Sequence, residues 1–469
     1  MKVEQIYTGC LAHGAYYIES NGEAVVIDPL RDYKPYVEKA KADGAKIKYI
    51  LETHFHADFV SGHLDLAKAT GAPIVFGPTA APQFDAHIAK DNEELKVGDA
   101  SIVVLHTPGH TMESTTFLLR DEQGKDYAIF SGDTLFIGDV GRPDLAVKTD
   151  LTMEDLASHL FDSLRNKIMT LADDVIVYPG HGAGSACGKN LSDETWDTLG
   201  NQKKTNYALR EDMSRAEFVK EVTDGLMTPP QYFPKNVMMN KLGYDSFEVA
   251  LETGLQALNP ENFEAAANEW EGLILDTRKP EVYAKGHVPN AINIGLDGDF
   301  APWVGALITD IHQPILLVTD KDREEEAVTR LARVGYDKSI GYLDGGFDSW
   351  KNSGKEISTV ESISADEFAS RFAMANARVV DVRKPSEHLS EHVKDSINIP
   401  LDFLNSEMSA FSNNEKTYLH CAGGYRSMIA ASILQARGFH NLINVEGGFN
   451  KIKETSVPVS DYVCPSTLV

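Results

Sequence analysis

An internal repeat in the C-terminal half of the chain constrains the fold more than any other feature of the sequence. Residues 274–280 read ILDTRKP and residues 379–385 read VVDVRKP, while DGGF at 344–347 returns as EGGF at 446–449. The offset between matching positions stays between 102 and 105 residues. Two copies are too few for a solenoid, in which each repeat stacks on its neighbours. The repeat therefore predicts two α/β domains of about 100 residues each.

The length of 469 residues predicts a third domain ahead of the repeat, because a domain takes roughly 150 residues. We assign the domains to 1–257, 258–357 and 358–469. The first includes a C-terminal extension, in which segment 211–258 is predicted to be either a helical arm that closes the domain or a linker. The chain is thus expected to be a multidomain α/β protein with three separate cores.

Charge and hydropathy exclude several classes of partner. The formal charge of −26, from 44 basic and 70 acidic residues, argues against nucleic acid and anionic membranes, because binding phosphates requires clustered Lys and Arg. A small anion can still bind in a locally positive cleft. No stretch approaches the roughly 18 consecutive apolar residues of a membrane span. The N-terminus has no apolar run of signal-peptide length, so we expect a cytoplasmic protein.

Polar, titratable groups follow five short apolar runs within residues 1–210, and each run reads as a buried strand. The runs and the groups that follow them are 24–27 with Asp28-Pro29, 49–51 with Thr53-His54, 102–105 with HTPGH at 106–110, 128–130 with Gly132-Asp133, and 175–178 with PGH at 179–181. Because α/β folds build their sites at the C-terminal ends of strands, these groups are expected to meet in one place.

The histidines and carboxylates among these groups predict a metal site. A His-x-His pair at a strand end, here His54 and His56, can aim two imidazoles at one point, and Asp58 adds a carboxylate. His110 and Asp133 follow two other predicted strands, and His181 follows a third.

These motifs resemble the metallo-β-lactamase superfamily, an αβ/βα sandwich with metal between the sheets, over roughly residues 1 to 210. The superfamily motif His-x-His-x-Asp-His ends here in Phe59 instead of His. A binuclear zinc hydrolase of the glyoxalase II type needs that His for its second metal. Since a phenyl ring cannot ligate a metal, the substitution favours a mononuclear centre.

Two His and one carboxylate on one face, with open positions opposite, are typical of non-haem Fe(II) oxygenases. The sequence is similar to the persulfide dioxygenase branch of the superfamily, which oxidises a low-molecular-weight thiol persulfide with O2 to sulfite and free thiol. The resemblance implies one Fe(II) per chain, held by His54, His110 and Asp133, with zinc as the alternative metal. The remaining groups, which would orient ligands or act as extra ligands, are His56, Asp58 and His181. Arg142 lies in a Gly-Arg-x-Asp turn like that of the family, which implies a substrate-orienting role, with a structural ion pair as the alternative.

A second chemical motif lies at 418–427, YLHCAGGYRS, which predicts a strand, a glycine loop and a helix start. Backbone N–H groups and a helix N-terminus stabilise a thiolate or persulfide at Cys421. The spacing Cys-x4-Arg is one residue shorter than the Cys-x5-Arg loop of protein tyrosine phosphatases. It resembles rhodanese over about 358–469, which implies that Cys421 carries sulfur and that Arg426 holds the anionic donor. Gly423 and Gly424 belong to the same substrate-binding loop.

The first copy of the repeat lacks this cysteine. Its matching loop is 318–323, VTDKDR, and Val318 is predicted to stand where Cys421 does. Asp320 and Asp322 would repel an anionic donor, so we interpret this copy as a spacer or docking domain. Cys10, Cys187 and Cys464 lie in no comparable setting, although Cys187 follows His181 closely.

The resulting hypothesis is a persulfide dioxygenase joined to two rhodanese-like domains, one of them active. Its expected partners are O2, a persulfide of the glutathione or coenzyme A type, and thiosulfate or sulfite. The alternatives are a zinc thioester hydrolase with an attached sulfurtransferase, and a binding or sensing module with an inactive metal domain. The sequence leaves open the thiol carrier, the direction of sulfur transfer, transfer between the sites, and the oligomeric state, with a homo-oligomer among the alternatives.

Overall fold

The computed structural model describes residues 1–189, 191–372 and 378–464. They divide into two compact units, one of Met1–Glu248 with Ala332–Gly335 and one of Val249–Leu331 with Tyr336–Val469. Within the described ranges, no helix is both long and apolar enough to cross a membrane.

The first unit contains two six-stranded sheets. The first sheet has the order β1 (Lys2–Thr8), β2 (His13–Ser20), β3 (Glu23–Ile27), β4 (Lys46–Glu52), β5 (Ile74–Phe76) and β6 (His87–Ile88). The second sheet consists of β7 (Glu94–Val97), β8 (Ala100–His106), β9 (Thr115–Arg120), β10 (Asp126–Gly132), β11 (Ile176–Pro179) and β12 (Asp197–Thr198), arranged in the reverse order β12 to β7. All five predicted strands of this region are present.

The sheets pack face to face, with helices outside. Along β3, Val25 and Ile27 join a core with Val104 and Phe117 of the second sheet, whereas the alternate residue Val26 packs on the helical side. Since both faces of β3 are buried, the run is continuously apolar. The helices here are α1 (Lys34–Ala42), α2 (His63–Thr70), α3 (Met153–Ser163), α4 (Leu199–Thr205), α5 (Arg215–Thr223) and α6 (Phe233–Leu242), followed by α7 (Phe247–Gly254). This is the expected αβ/βα sandwich, and segment 211–258 contains the three helices α5, α6 and α7.

The second unit contains two five-stranded sheets whose paired strands are all parallel. The first copy has β13 (Ala257–Leu258), β14 (Leu273–Asp276), β15 (Ile292–Asn293), β16 (Ile315–Val318) and β17 (Ser339–Leu343), in the order β13–β17–β16–β14–β15. The second copy has β18 (Glu361–Ile363), β19 (Arg378–Asp381), β20 (Ile397–Asn398), β21 (Thr417–His420) and β22 (Leu442–Val445), in the equivalent order β18–β22–β21–β19–β20. The identical topology confirms the repeat of two α/β domains.

Helices connect these parallel strands. In the first copy they are α8 (Pro260–Glu269), α9 (Pro280–Lys285), α10 (Phe300–Leu307), α11 (Glu324–Arg333) and α12 (Gly346–Asn352). In the second copy they are α13 (Ala365–Phe372), α14 (Pro385–Ser390), α15 (Tyr425–Ala436) and α16 (Gly448–Ile452).

The sheet register corrects one detail of the predicted repeat. Asp276 pairs with Val318 in the first copy, and its counterpart Asp381 pairs with His420 in the second. Val318 therefore matches His420, and Thr319 occupies the position of Cys421. The sequence alignment was shifted by one residue because it matched Arg323 with Arg426, which lie five and six residues after the ends of β16 and β21. The first copy still lacks the cysteine.

Candidate functional site

Three of the predicted metal ligands meet at the strand ends of the first unit. His54 follows β4, His110 lies in the loop between β8 and β9, and Asp133 follows β10. All three are at least 98% buried, and their ligand atoms lie within 4.8 Å of one another. Separate strands from both sheets thus bring two imidazoles and a carboxylate to one point.

Hydrogen bonds orient both imidazoles toward Asp133. The Nδ1 of His110 lies 2.9 Å from the carbonyl oxygen of Arg142, to which it donates. The Nδ1 of His54 lies 3.0 Å from the Thr53 hydroxyl, which itself donates to Asp28 at 2.8 Å. We assign the proton to Nδ1 in both rings from these partners. Each Nε2 lone pair is then available as a ligand.

Asp133 supplies the observation that fits a cation here. Its Oδ2 is buried without a hydrogen-bond partner, 3.4 Å from the Nε2 of His110 and 3.9 Å from that of His54. Burial pushes the pKa of Asp133 up, but the charge and hydrogen bond of His181 hold it well below its ordinary value. Burial also holds the pKa of His54 well below its ordinary value. An ionised carboxylate beside neutral imidazole is a suitable donor set for a divalent metal.

Two glycines allow the chain to approach Asp133 closely. A Cβ on Gly141 would lie 1.9 Å from the backbone oxygen of Asp133, and one on Gly180 would lie 2.7 Å from its Oδ1. No side chain fits at either position, so the GRPD turn and the Pro-Gly-His turn each require glycine.

A second group lies beside the first. His181 contacts Asp133 Oδ1 through Nδ1 and Asp58 Oδ2 through Nε2, both at 2.8 Å. Burial lowers the pKa of His181, but the two carboxylates raise it well above its ordinary value. Cys187 belongs to this group, and burial together with Asp58 and Asp133 raises the pKa of its thiol well above normal. His181 thus ties Asp58 to Asp133, and the Cys187 thiol stays protonated beside them.

His56 is engaged away from the cluster of His54, His110 and Asp133. Its Nε2 lies 3.1 Å from Asp28 and 3.4 Å from Glu52, and the three form a buried group of their own. Burial lowers the pKa of His56, but the two carboxylates outweigh it and raise the pKa to about 10. The geometry favours the prediction that His56 orients its neighbours over the prediction that it is an extra ligand.

We expect His56→Gln to leave the metal content unchanged and to lower the free energy of unfolding by about 2 kcal/mol, because Asp28 and Glu52 would lose the cation between them. Urea unfolding and elemental analysis measure the two quantities. His87→Gln is the matched control, since His87 also pairs with a carboxylate, Glu93, but is 46% exposed. It should cost less than about 0.5 kcal/mol. Metal loss from the His56 variant would instead identify His56 as a ligand.

Phe59 is fully buried. Its ring packs against the rings of His13, at 4.2 Å between centroids, and His56, at 4.3 Å. An apolar side chain therefore fills the position that carries the last His of the superfamily motif.

The helical extension holds the metal-motif loop in place. Asn240 on α6 donates from its side chain to the carbonyl oxygens of His56 and Phe59, both at 2.8 Å. It also accepts from the backbone N–H of Ser61 at 2.9 Å. Asn240 was missed in the sequence, since no local pattern links it to a loop 180 residues away.

Arg142 contacts the metal-ligand cluster with its backbone carbonyl and not with its side chain. Its guanidinium binds Asp144 at 2.6 and 2.7 Å and the carbonyl oxygen of Ala186 at 3.0 Å, while its own carbonyl orients His110. The side chain thus forms the ion pair that was the alternative interpretation, and substrate contact by Arg142 stays a prediction.

In the second unit, the loop after β21 surrounds a buried cysteine. The Sγ of Cys421 accepts a hydrogen bond from the N–H of Gly424 at 3.0 Å, and α15 begins at the next residue. Gly424 has φ +106°, a left-handed conformation that glycine adopts without strain. The backbone therefore directs a donor at the sulfur, as the motif predicted.

Arg426, one residue further, is bound to a carboxylate that we did not predict. Its two terminal nitrogens lie 2.6 and 2.8 Å from the two oxygens of Glu387 on α14. Contact between Arg426 and an anionic donor would require this pair to open. Nothing in the sequence around Glu387 indicated a contact with Arg426. The contact arises only because the fold brings α14 against α15.

A cavity of about 410 Å³ lies between the two copies. Gly423, Gly424 and Tyr425 line it from the cysteine loop, and Lys279, Glu281 and Asp297 line it from the first copy. The hydroxyl of Tyr425 donates to the carbonyl oxygen of Gly295 at 2.7 Å. The first copy thus forms one wall of a cleft that the loop after Cys421 also lines.

The sandwich and its His–His–Asp cluster define a protein that holds a metal at the strand ends between two sheets. Comparison with family models gives a match to the metallo-beta-lactamase superfamily over residues 8–181 and to the rhodanese-like domain over 259–353 and 364–455.

Individual proteins agree with these matches. A cytoplasmic hydroxyacylglutathione hydrolase of Arabidopsis thaliana is 31% identical over 177 residues, which cover 37% of this chain and 65% of that protein. Persulfide dioxygenase ETHE1 of Bos taurus is 31% identical over 209 residues, 44% of this chain and 73% of that protein. A crystal structure of a metallo-beta-lactamase from Staphylococcus aureus subsp. aureus COL superimposes with a TM-score of 0.64 at 33% identity and covers 73% of this chain and 98% of that one.

The chain belongs to the metallo-beta-lactamase superfamily, and two rhodanese-like domains follow that domain. It spans less than two thirds of the length of the plant hydrolase. The relatives include both hydrolases and persulfide dioxygenases, so the residues of the site distinguish the two reactions.

Proposed function

We propose that the first unit oxidises a low-molecular-weight thiol persulfide with O2 at a single Fe(II) held by His54, His110 and Asp133, and that Cys421 transfers sulfane sulfur. The observation that carries the proposal is the cluster of two oriented imidazoles and the unpartnered Asp133 Oδ2, next to a buried Phe59. This donor set matches the two-His-one-carboxylate triad of non-haem iron oxygenases.

The chain's own residues account for binding and orientation. Thr53 and the carbonyl of Arg142 fix the two imidazoles, and His181 holds Asp133 ionised. When bound, Fe(II) supplies the one-electron chemistry that O2 needs to react with a persulfide. The overall reaction is RSSH + O2 + H2O → RSH + sulfite + two protons, in which the outer sulfur loses four electrons and O2 gains them.

The second candidate is a zinc thioester hydrolase, which the hydroxyacylglutathione hydrolase relatives favour. A second metal would use Asp58, His181 and Cys187, a group of candidate donors that contacts the first group through His181 and Asp133. Against this candidate, His181 uses both ring nitrogens to bind carboxylates, and Phe59 stands where the superfamily has its His.

Oxygen uptake tests the proposal directly. Iron-loaded protein given glutathione persulfide should consume O2 and release an equimolar amount of sulfite, measured with an oxygen electrode and by ion chromatography. S-lactoylglutathione, a thioester, should not be hydrolysed. Hydrolysis without oxygen uptake would sink the proposal in favour of the zinc enzyme.

A further inference from the structure

The ion pair between Arg426 and Glu387 bears on which sulfur donor the Cys421 site accepts. Two hydrogen bonds join the side chains, of which Arg426 is only 17% and Glu387 only 33% exposed. Burial pushes the pKa of Glu387 up, but the hydrogen bonds and charge of Arg426 hold it below its ordinary value. Arg426 in turn lies within the electrostatic reach of Cys421. The guanidinium that interacts with the sulfur is thus already neutralised by a carboxylate.

Glu387 occupies the groups by which Arg426 would bind an oxyanion. Guanidinium binds carboxylates and tetrahedral oxyanions through the same pair of parallel N–H donors. Thiosulfate, a dianion with three oxygens, would have to displace Glu387 from that pair and leave its carboxylate without a partner. An organic persulfide carries no oxyanion at its reacting end and does not need the guanidinium.

The cavity beside the loop adds to this effect. Its charged lining is acidic overall, with Glu281, Asp297 and Glu446 against Lys279. Lys279 itself lies 3.8 Å from Asp297. Among the described residues, Arg426 is not part of the lining. A dianion entering the cavity therefore meets more negative than positive charge.

The first copy indicates that the ion pair is not required by the fold. At the repeat offset of 105 residues between Asp276 and Asp381, Glu387 corresponds to Val282, which is 42% exposed. Arg323, the arginine of the loop after β16, binds Glu326 and Asp297. The copy without a cysteine thus forms the same sheet without this carboxylate.

We propose that Glu387 is a specificity-determining residue, which disfavours thiosulfate by occupying Arg426 and leaves the Cys421 site to organic persulfides. This inference rests on the proposed sulfur transfer by Cys421. In the transfer, the Cys421 thiolate attacks the outer sulfur of RSSH. The bond between the two donor sulfurs breaks, its electron pair leaves with RS⁻, and Cys421 becomes a persulfide that keeps the donor's proton.

The test measures how fast Cys421 gains one sulfur atom from thiosulfate and from glutathione persulfide, by rapid mixing and intact-protein mass spectrometry. Wild-type protein should load from the persulfide at least about tenfold faster than from thiosulfate, since a charge-assisted hydrogen-bonded pair must open for the latter. Glu387→Gln should raise loading from thiosulfate about tenfold and change loading from the persulfide much less. Glu387→Asp keeps the charge and should retain the wild-type preference.

A second variant covers the case that Glu387→Gln fails to fold. Glu281 is an exposed side chain of the cavity wall, and Glu281→Gln should raise thiosulfate loading about twofold by removing one negative charge. Equal loading of the wild type from both donors, or an unchanged donor preference in Glu387→Gln, would overturn the inference while leaving sulfur transfer in place. Loading from neither donor would instead overturn the transfer by Cys421 on which the inference rests.

Discussion

Asp133→Asn is expected to lower the affinity for iron by more than about a hundredfold, and oxygen uptake with glutathione persulfide should fall to background. Residues that merely orient a ligand typically contribute 10–100-fold to metal affinity, and Asp133 is expected to contribute more as a direct ligand. The amide has the same shape but no charge, and its nitrogen cannot ligate. Iron titration with a competing chelator measures the affinity.

The control for this prediction is Asp150→Asn, since Asp150 is an exposed aspartate of the same unit. That variant should bind iron and consume O2 as the wild type does. Sulfur transfer by Cys421 should survive in the Asp133 variant, because the cysteine loop lies in the other compact unit. Iron binding at wild-type affinity in Asp133→Asn would contradict the assigned ligand set.

Cys421→Ser is expected to abolish sulfur transfer, with a loss of about a thousandfold or more, as is typical when a covalent nucleophile is removed. Serine accepts the same hydrogen bond from Gly424 but forms no persulfide. The measurement is the transfer of sulfur from glutathione persulfide to cyanide. Oxygen uptake by the first unit should remain measurable.

Cys10→Ser is the matched control, because Cys10 is a half-exposed thiol outside both sites. It should keep both activities. Sulfur transfer by Cys421→Ser at the wild-type rate would show that another thiol carries the sulfur. Loss of oxygen uptake in the same variant would show that Cys421 also acts in the oxidation.

The repeating and strand-end features of this protein were predictable from the sequence because their signals are local. Buried strands such as 24–27 are continuous apolar runs, and His54 or Asp133 directly follows its strand. The position matching Cys421 in the first copy was predicted one residue too early. The spacing from strand end to arginine differs between the two copies, so only the sheet register, in which Asp276 pairs with Val318, reveals the correct match.

Residues that act across the fold could not be predicted. Glu52 precedes the metal motif by two residues, yet its role depends on His56 turning toward it. Asn240 braces a loop far away in sequence, and Glu387 reaches Arg426 only because α14 packs near the start of α15. Ordinary glutamates and asparagines occur throughout the chain, so their type alone carries no signal.

The most direct test of the account is the metal content of protein purified without oxygen, measured by elemental analysis together with the protein concentration. A mononuclear centre of His54, His110 and Asp133 predicts one iron per chain and little zinc, with the iron lost in Asp133→Asn. Two zinc ions per chain would contradict the account and establish the binuclear hydrolase in its place.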